Sequence, residues 1–313
     1  MTRTAALVAL HAAVALFGFA ALFGKWLAWP PTTIVFGRTL VAAATLAVVL
    51  AFRQARKRRQ ATGTVPVGPR GRLNTEARAG QPTPSRPAEY ASYRARALNG
   101  ALLALHWVTF FAAVQASTVA IALLGFASFP VFVLALESAE RRRRPSLAEG
   151  GAVLLVACGL SLLVPELRWS NAVQGLAWGV VSGFTFALLA VRNRRAVEVQ
   201  GATTLALWQN VFAAACLLPF IALRAPLPGT LSLRDAGLIV VLGVGCTALA
   251  HTLFIASMRR LSAHTASVVS VLEPAYGIAL AALLLGERPD LRTLAGMVLI
   301  IAAAMVATRR ATR

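Results

Sequence analysis

Glu273 is the residue with the clearest potential for chemistry, because its carboxylate lies near the middle of the apolar run 264–285. An ionisable side chain at the centre of a bilayer costs about 2.5 to 3.5 kcal/mol to insert, so its presence there needs a reason. Pro274 follows directly and cannot donate to the carbonyl of Ser270, which predicts a helix break and an open backbone acceptor at the same depth. A carboxylate beside an open carbonyl suits a cationic or amine-bearing ligand, a proton or Na⁺. An internal hydrogen bond or ion pair between helices is the structural alternative.

Arg38 is the one Lys or Arg that lies well inside an apolar run. Its planar guanidinium is suited to hold an anionic group, such as a carboxylate, through two parallel hydrogen bonds, or to pair with a neighbouring helix. Gln209 and Asn210 lie in another apolar run and could hydrogen-bond either a solute or an adjacent helix.

Three of the four histidines are further candidates. His106 and Trp107 are neighbours near the middle of one run, and His251 is central in a later run. Because histidine exchanges a proton near neutral pH, His106 or His251 is a candidate for carrying a coupled proton, and hydrogen-bonded packing is the alternative. His11, in the first run, is a similar case.

Hydrolytic, redox and metal chemistry have no motif in this sequence. The four histidines fall in different runs, and no G-x-S-x-G, Walker A or H-E-x-x-H pattern occurs. The three cysteines occur singly, without C-x-x-C spacing, at Cys158, Cys216 and Cys246. We therefore expect no enzyme, no metal and no cofactor.

The elements that must position these residues are long apolar segments. The mean hydropathy is +0.70, and only 13% of the residues are charged, which excludes an ordinary soluble domain. A helix of about 20 apolar residues crosses a bilayer core. The sequence predicts an all-α polytopic membrane protein with ten such helices, at 5–27, 32–52, 97–115, 118–138, 147–164, 172–192, 203–222, 236–257, 264–285 and 291–308.

The net charge of +20 is explained by its distribution rather than by a nucleic-acid partner. With the amino terminus inside, 24 of the 31 Lys and Arg fall in cytoplasmic segments. This is the positive-inside pattern of membrane proteins. It predicts a multi-pass protein of the cell (inner) membrane with both termini in the cytoplasm.

The segment 53–96 is rich in Arg, Pro, Gly and Thr and has no helical or strand period. We expect it to be a disordered cytoplasmic loop. Its basic opening at 56–59 either contacts anionic lipid headgroups or serves only as a topology signal.

The second half of the sequence repeats the first at an offset of 144 residues. Pro130 recurs as Pro274, so a helix break is predicted at both prolines, and Arg144-Pro145 recurs as Arg288-Pro289. Two sets of five spans enter the membrane from opposite sides, so the repeat is inverted. The predicted domains are 1–165 and 166–313, each a five-helix repeat.

Two stretches resemble EamA-type transporters of the drug/metabolite transporter superfamily. Residues 102–130 resemble the third and fourth helices of that family, and residues 267–300 resemble its ninth and tenth helices. The family's EP…GE pattern falls on Glu273, Pro274, Gly286 and Glu287. In the first half the basic run 141–144 stands where a GE-type ending is expected. The resemblance implies two inverted repeats of five helices around a central cavity that opens alternately to each side.

The expected function is secondary active transport of a small metabolite by alternating access. The resemblance suggests export of an amino acid or related organic solute, with H⁺ or Na⁺ as a coupling ion and membrane lipids around the protein. An integral membrane enzyme acting on a lipid-linked substrate and a channel are the alternatives. We expect the cavity to be lined by Glu273, Arg38, His106, Trp107 and His251.

Overall fold

The computed structural model describes residues 1–62, 92–140, 142, 146–163, 170–224 and 232–311. These residues form α-helices joined by short turns, with one π-helical turn, and no strand occurs in the described ranges. The helices are α1 (Arg3–Trp26), α2 (Pro31–Thr62), α3 (Tyr93–Ala116), α4 (Val119–Phe126), α5 (Phe129–Glu140), α6 (Leu147–Leu163), α7 (Asn171–Gln200), α8 (Ala202–Arg224), α9 (Leu233–Gly243), the π-helix Val244–Leu249, α10 (Ala250–Ser257), α11 (Ala263–Ser270), α12 (Glu273–Leu285) and α13 (Leu291–Ala311).

Within the described residues, eight segments are long and apolar enough to cross a membrane. This supports the prediction of an all-α polytopic membrane protein. The predicted spans 147–164 and 291–308 correspond to α6 and α13, which are not among the eight. The count of ten crossings therefore remains a prediction.

Ser or Thr side chains fix where six of the helices begin. Each hydroxyl accepts a hydrogen bond from the amide three residues later, which satisfies one of the donors that a helix start leaves open. The capping residues are Thr2, Ser92, Thr118, Ser170, Ser232 and Ser262.

Two predicted spans are each divided into two helices. The span 118–138 is broken at Ala127–Ser128, between α4 and α5, and the span 264–285 is broken at residues 271–272, between α11 and α12. In both cases a proline is the second residue of the following helix, where its missing N–H has no intrahelical acceptor to lose. Residues 119–126 and 263–270, and the helix starts Phe129 and Glu273, are separated by the 144-residue offset of the sequence repeat.

The predicted disordered loop 53–96 is wrong at both ends. Helix α2 continues through the basic residues to Thr62, and α3 begins at Tyr93. Residues 53–59 lie beyond the apolar run 32–52. They continue the helix because Arg, Lys, Gln and Ala all have high helix propensity. Residues 63–91 lie outside the described residues.

Glycines bring two pairs of helices into close contact near the middle of the bundle. A Cβ placed on Gly18 of α1 would lie 2.9 Å from the backbone nitrogen of Gly277 of α12. A Cβ placed on Gly179 of α7 would lie 2.8 Å from the carbonyl oxygen of Ala122 and 3.1 Å from the Cα of Gly125, both on α4. Neither crossing leaves room for a larger residue. Each therefore holds one helix of a broken pair, α12 or α4, close against a long helix.

Candidate functional site

A small cavity lies where seven helices converge. Its volume is about 20 Å³, which holds about one water molecule, so the site is closed in this conformation. The lining residues come from α1, α2, α3, α4, α7, α10 and α12, and they are Phe17, Ala20, Arg38, His106, Trp107, Phe110, Phe126, Phe186, His251 and Glu273.

Arg38 of α2 is held in the cavity wall by neutral groups. Its side chain is only 2% exposed. Nε donates to the Thr247 hydroxyl at 2.8 Å, and Nη2 donates to the Cys246 carbonyl at 3.4 Å. A guanidinium has five N–H donors, so three of them have no acceptor among the described residues. A fixed guanidinium with free donors is suited to bind an anionic group.

The π-helix supplies both protein acceptors of Arg38. The Thr247 hydroxyl donates to the Leu242 carbonyl at 2.7 Å while it accepts from Arg38. A single π-helical turn inside an α-helical span shifts the facing of the following residues and is frequent at functional sites. The sequence predicts one regular helix over 236–257, and the π-helical turn within it is a departure from that prediction.

Aromatic rings surround the charged groups. The guanidinium carbon of Arg38 lies 3.9 Å from the centroid of the Trp107 ring, a cation–π contact. Trp107 also meets the ring of His251 edge to face at 5.7 Å. Phe186 packs against the rings of Phe126 and Phe17.

Glu273 is the first residue of α12 and is 4% exposed. Its carboxyl group has no hydrogen bond or ion pair with any described residue. Burying a carboxyl without a partner carries a desolvation cost, which makes Glu273 a candidate for binding a ligand or an ion. The close crossing of Gly18 and Gly277 sets its position, since the Glu273 carbonyl lies 3.1 Å from a Cβ built on Gly18.

His106 is tied to Ser182 of α7 by mutual contacts. Its Nδ1 lies 3.1 Å from the Ser182 carbonyl and 2.8 Å from the Ser182 hydroxyl, and that hydroxyl donates to the His106 carbonyl at 3.0 Å. Because a carbonyl oxygen can only accept, the contact with the Ser182 carbonyl assigns the proton to Nδ1. The neutral ring then has Nε2 as its free acceptor, with the ring face stacked on Phe186 at 4.4 Å.

His251 is hydrogen-bonded instead to a series of two side-chain amides. Its Nε2 lies 2.8 Å from Oε1 of Gln209, and Nε2 of Gln209 donates to Oδ1 of Asn193 at 2.5 Å. Nδ1 of His251 and Nδ2 of Asn193 are buried and have no hydrogen-bond partner. Gln209 therefore lies behind the cavity wall, where it orients His251.

The other candidates from the sequence lie elsewhere. Asn210 donates to the Ala206 carbonyl of its own helix at 2.8 Å and does not line the cavity. His11 is exposed on α1, away from the cavity. Of the cysteines, Cys246 alone approaches the site, through its carbonyl. No group of His, Cys, Asp or Glu in the described part of the chain could hold a metal ion.

Five lining residues were not identified from the sequence as candidates, namely Phe17, Ala20, Phe110, Phe126 and Phe186. An apolar residue in a membrane span gives no signal that separates a cavity wall from a lipid-facing surface. Phe126 had one indirect signal, because it lies one helical turn before Pro130.

At one end of the bundle, the turn between α3 and α4 is held from two sides. Lys25, at the end of α1, donates to the Ser117 carbonyl at 2.5 Å. Glu287, after α12, accepts from the Val119 amide at 3.1 Å. At the opposite ends of the helices, Arg195 of α7 pairs with Glu140 of α5, and Arg192 donates to Asn99 at 2.6 Å.

Comparisons with known proteins identify the family of the second half and the fold of the whole. Residues 173–309 match the EamA-like transporter family. An uncharacterized transporter, YxxF, of Bacillus subtilis is 28% identical over 65% of this chain and 66% of its own length. Uncharacterized transporters of Clostridium kluyveri and Archaeoglobus fulgidus are 23% and 25% identical, over 44% and 71% of their own lengths. The match thus spans just under two thirds of the Bacillus protein and less than half of the Clostridium protein.

A solved crystal structure shares the fold. It covers 100% of both chains with a TM-score of 0.65 at 19% identity. The broken helices, the closed cavity and these relatives agree with the resemblance of the two stretches at 102–130 and 267–300. Residues 173–309 of this chain are thus similar to the EamA-like transporter family, and its long apolar helices are those of a multi-pass membrane protein.

Proposed function

We propose that this protein is a secondary active transporter that exports a small organic metabolite, an amino acid or a related solute, by alternating access. The membrane is the cell (inner) membrane, with both termini in the cytoplasm. The observation that carries this proposal is the closed cavity, in which a guanidinium with free donors and a carboxyl without a partner face the same space.

The substrate's anionic group binds Arg38, and an amine of the substrate or a coupling H⁺ or Na⁺ binds Glu273. The aromatic rings that line the same cavity contact the apolar part of the solute. The rings of His106 and His251 also line this cavity. The observed volume of about 20 Å³ is too small for an organic solute, so binding requires movement of the surrounding helices.

Two inverted repeats, 1–165 and 166–313, provide that movement. The equivalent breaks at 127–128 and 271–272 support this division, as do the related packing pairs. Helix α1 packs on α10 and α12, and α7 packs on α3 and α5, which are the partners expected when one repeat is exchanged for the other. The pair α2 and α8 and the pair α6 and α13 also pack together, each helix with its own equivalent.

Flux measurements in liposomes test the proposal directly. Purified protein is reconstituted, and uptake or efflux of labelled amino acids and organic acids is followed with no gradient, a proton gradient or a Na⁺ gradient. We expect saturable flux above that of empty liposomes. Flux equal to that of empty liposomes for a broad metabolite panel would contradict transport, and flux that rises linearly with concentration would indicate a channel.

Glu273→Gln is the informative variant for the site. The exchange keeps the shape and removes no hydrogen bond, so the folded protein should retain its melting temperature. Glu198→Gln, which changes a carboxylate on the surface in contact with Arg194, is the matched control. We expect loss of gradient-driven flux in Glu273→Gln alone. Equal flux in both variants would assign Glu273 a structural role.

A further inference from the structure

A second, larger cavity lies at the end of the bundle where α2 finishes and α8 begins. We call it the basic vestibule. Its volume is about 840 Å³. The residues that line it are Met1, Leu50, Arg53, Gln54, Arg56, Lys57, Gln60, Gly201, Ala202, Thr203, Thr204, Thr252, Leu253, Ala256 and Arg259.

Four cations line the basic vestibule, namely Arg53, Arg56, Lys57 and Arg259, and its lining includes no Asp or Glu from the described ranges. None of the four cations forms an ion pair with another residue in the part of the chain that the structure describes. Like charges that share a cavity repel one another, so a bound anion would stabilise the arrangement.

Two further features direct hydrogen-bond donors into the same space. Nη1 of Arg53 donates to the Thr203 hydroxyl at 3.0 Å, which fixes this guanidinium against the first turn of α8. Gly201 precedes α8 and has no side chain to cap it, so the amides of the first turn have no side-chain acceptor from that position.

We infer that the basic vestibule is a binding site for a phosphate-bearing anion, either the headgroup of an anionic lipid or a soluble phosphate. Arginine forks, a helix N-terminus and a hydroxyl are the donors that bind phosphate in proteins. The cavity lies at the ends of membrane helices, at the depth of lipid headgroups on the face that the charge pattern predicts to be cytoplasmic. Membrane orientation requires basic residues on this face, but it does not require them to converge with an uncapped helix around one cavity. The inference does not depend on the proposed transport activity.

Thermal unfolding of the full chain in a non-ionic detergent tests this site. Two titrations are compared, sodium phosphate against sodium chloride at equal ionic strength, and short-chain phosphatidylglycerol against short-chain phosphatidylcholine. We expect a saturable rise of the melting temperature with phosphatidylglycerol. The double variant Arg53→Gln/Lys57→Gln should need about ten times more ligand for the same rise, because charged hydrogen bonds are lost. Arg94→Gln is the control, since it removes one charge from an exposed side chain outside the vestibule.

Each result of these titrations either supports or overturns anion binding at the basic vestibule. A saturable rise with both phosphate and phosphatidylglycerol supports a site for soluble phosphate as well as lipid, and a rise with phosphatidylglycerol alone identifies the lipid as the ligand. A rise that is equal in wild type and the double variant, or no saturable rise with either compound, overturns the proposal. If the double variant does not fold, Arg259→Gln examines the same cavity from α10.

Discussion

The Arg38 guanidinium lies over the Trp107 ring, with 3.9 Å between its central carbon and the ring centroid. Within the described chain its hydrogen-bond acceptors, Thr247 and Cys246, are neutral. The charge is therefore held in place by packing and dipoles, and no described carboxylate forms an ion pair with it. The desolvation cost of burying Arg38 is therefore not offset by an ion pair among the described residues. A substitution at this position can test whether the guanidinium binds the substrate.

Replacing Arg38 with Met should leave the fold intact and abolish transport. Replacing a buried ion pair by apolar side chains of similar volume is often neutral or stabilising by about 1 to 4 kcal/mol, and Arg38 has no ion-pair partner among the described residues that the exchange would leave behind. Substrate binding should weaken by about tenfold or more, because charged hydrogen bonds to the anionic group are lost. Melting temperature and saturable flux are measured together.

Arg38→Lys is the comparison variant. It keeps the charge but loses the planar contact with Trp107 and the Nε bond to Thr247. We expect low flux in this variant as well. Wild-type flux in Arg38→Met would show that the guanidinium does not bind substrate.

Ser182→Ala should weaken the contact between His106 and α7. The serine hydroxyl contacts Nδ1 and the carbonyl of His106, so its loss removes buried hydrogen bonds at a cost of about 1 to 3 kcal/mol. The backbone carbonyl at position 182 remains as an acceptor, so nitrogen NMR of labelled histidine should show the Nδ1–H form retained with a shifted Nδ1 signal. Thr185→Ala is the control, because Thr185 bonds only to carbonyls of its own helix. An Nε2–H form in the wild type, or an Nδ1 signal that is the same in wild type and Ser182→Ala, would contradict the assigned contacts.

The polar residues of the cavity were largely predictable, and the reason is energetic. Arg38, His106, Trp107, His251 and Glu273 all line the cavity that the structure reveals. Polar and charged groups in an apolar run are costly towards lipid, so they indicate the protein interior. The same argument does not say what they do there, and Gln209 is interior because it orients His251.

The remaining features had no comparable signal in the sequence. His11 is exposed because it lies on the outer side of α1, and one polar residue does not define which side of a helix faces inward. The π-helix Val244–Leu249 has no sequence signature, because it depends on a single extra residue in one turn. The prolines indicated both helix breaks, but each break falls two to three residues before its proline.

Gly18→Ala should separate α1 from α12 and disturb Glu273. The added methyl group would meet the Gly277 nitrogen at 2.9 Å and the Glu273 carbonyl at 3.1 Å, and both are backbone atoms that cannot rotate away. Overpacking of this kind typically costs about 1 to 3 kcal/mol. We expect a lower melting temperature and weaker substrate binding.

Gly237→Ala is the matched control for this variant. It lies within α9, and nothing is within 4 Å of an added Cβ. Alanine has the higher helix propensity, so this variant should be neutral or more stable by up to about 1 kcal/mol. Equal effects of the two substitutions would show that the close crossing of α1 and α12 does not set the position of Glu273.

Glu287→Ala should loosen the end of the bundle that the charge pattern predicts to face outward. The carboxylate accepts from the Val119 amide at the start of α4, and the same turn receives Lys25 through the Ser117 carbonyl. Loss of a helix-capping acceptor costs about 1 kcal/mol. The contact links the segment after α12 to the start of α4, so its loss should also favour opening of the cavity on that side. Hydrogen exchange should quicken at the first turn of α4, and the apparent affinity measured by flux should change.

Asp290→Ala distinguishes gating from capping. Asp290 accepts from the Thr293 amide at 2.8 Å at the start of α13, so its loss removes a cap of similar strength without touching the turn between α3 and α4. Because both variants lose a cap, both should show a small loss of stability. A change in transport confined to Glu287→Ala would assign the residue to closure of the cavity, whereas equal changes in both variants would limit it to stabilising a helix end.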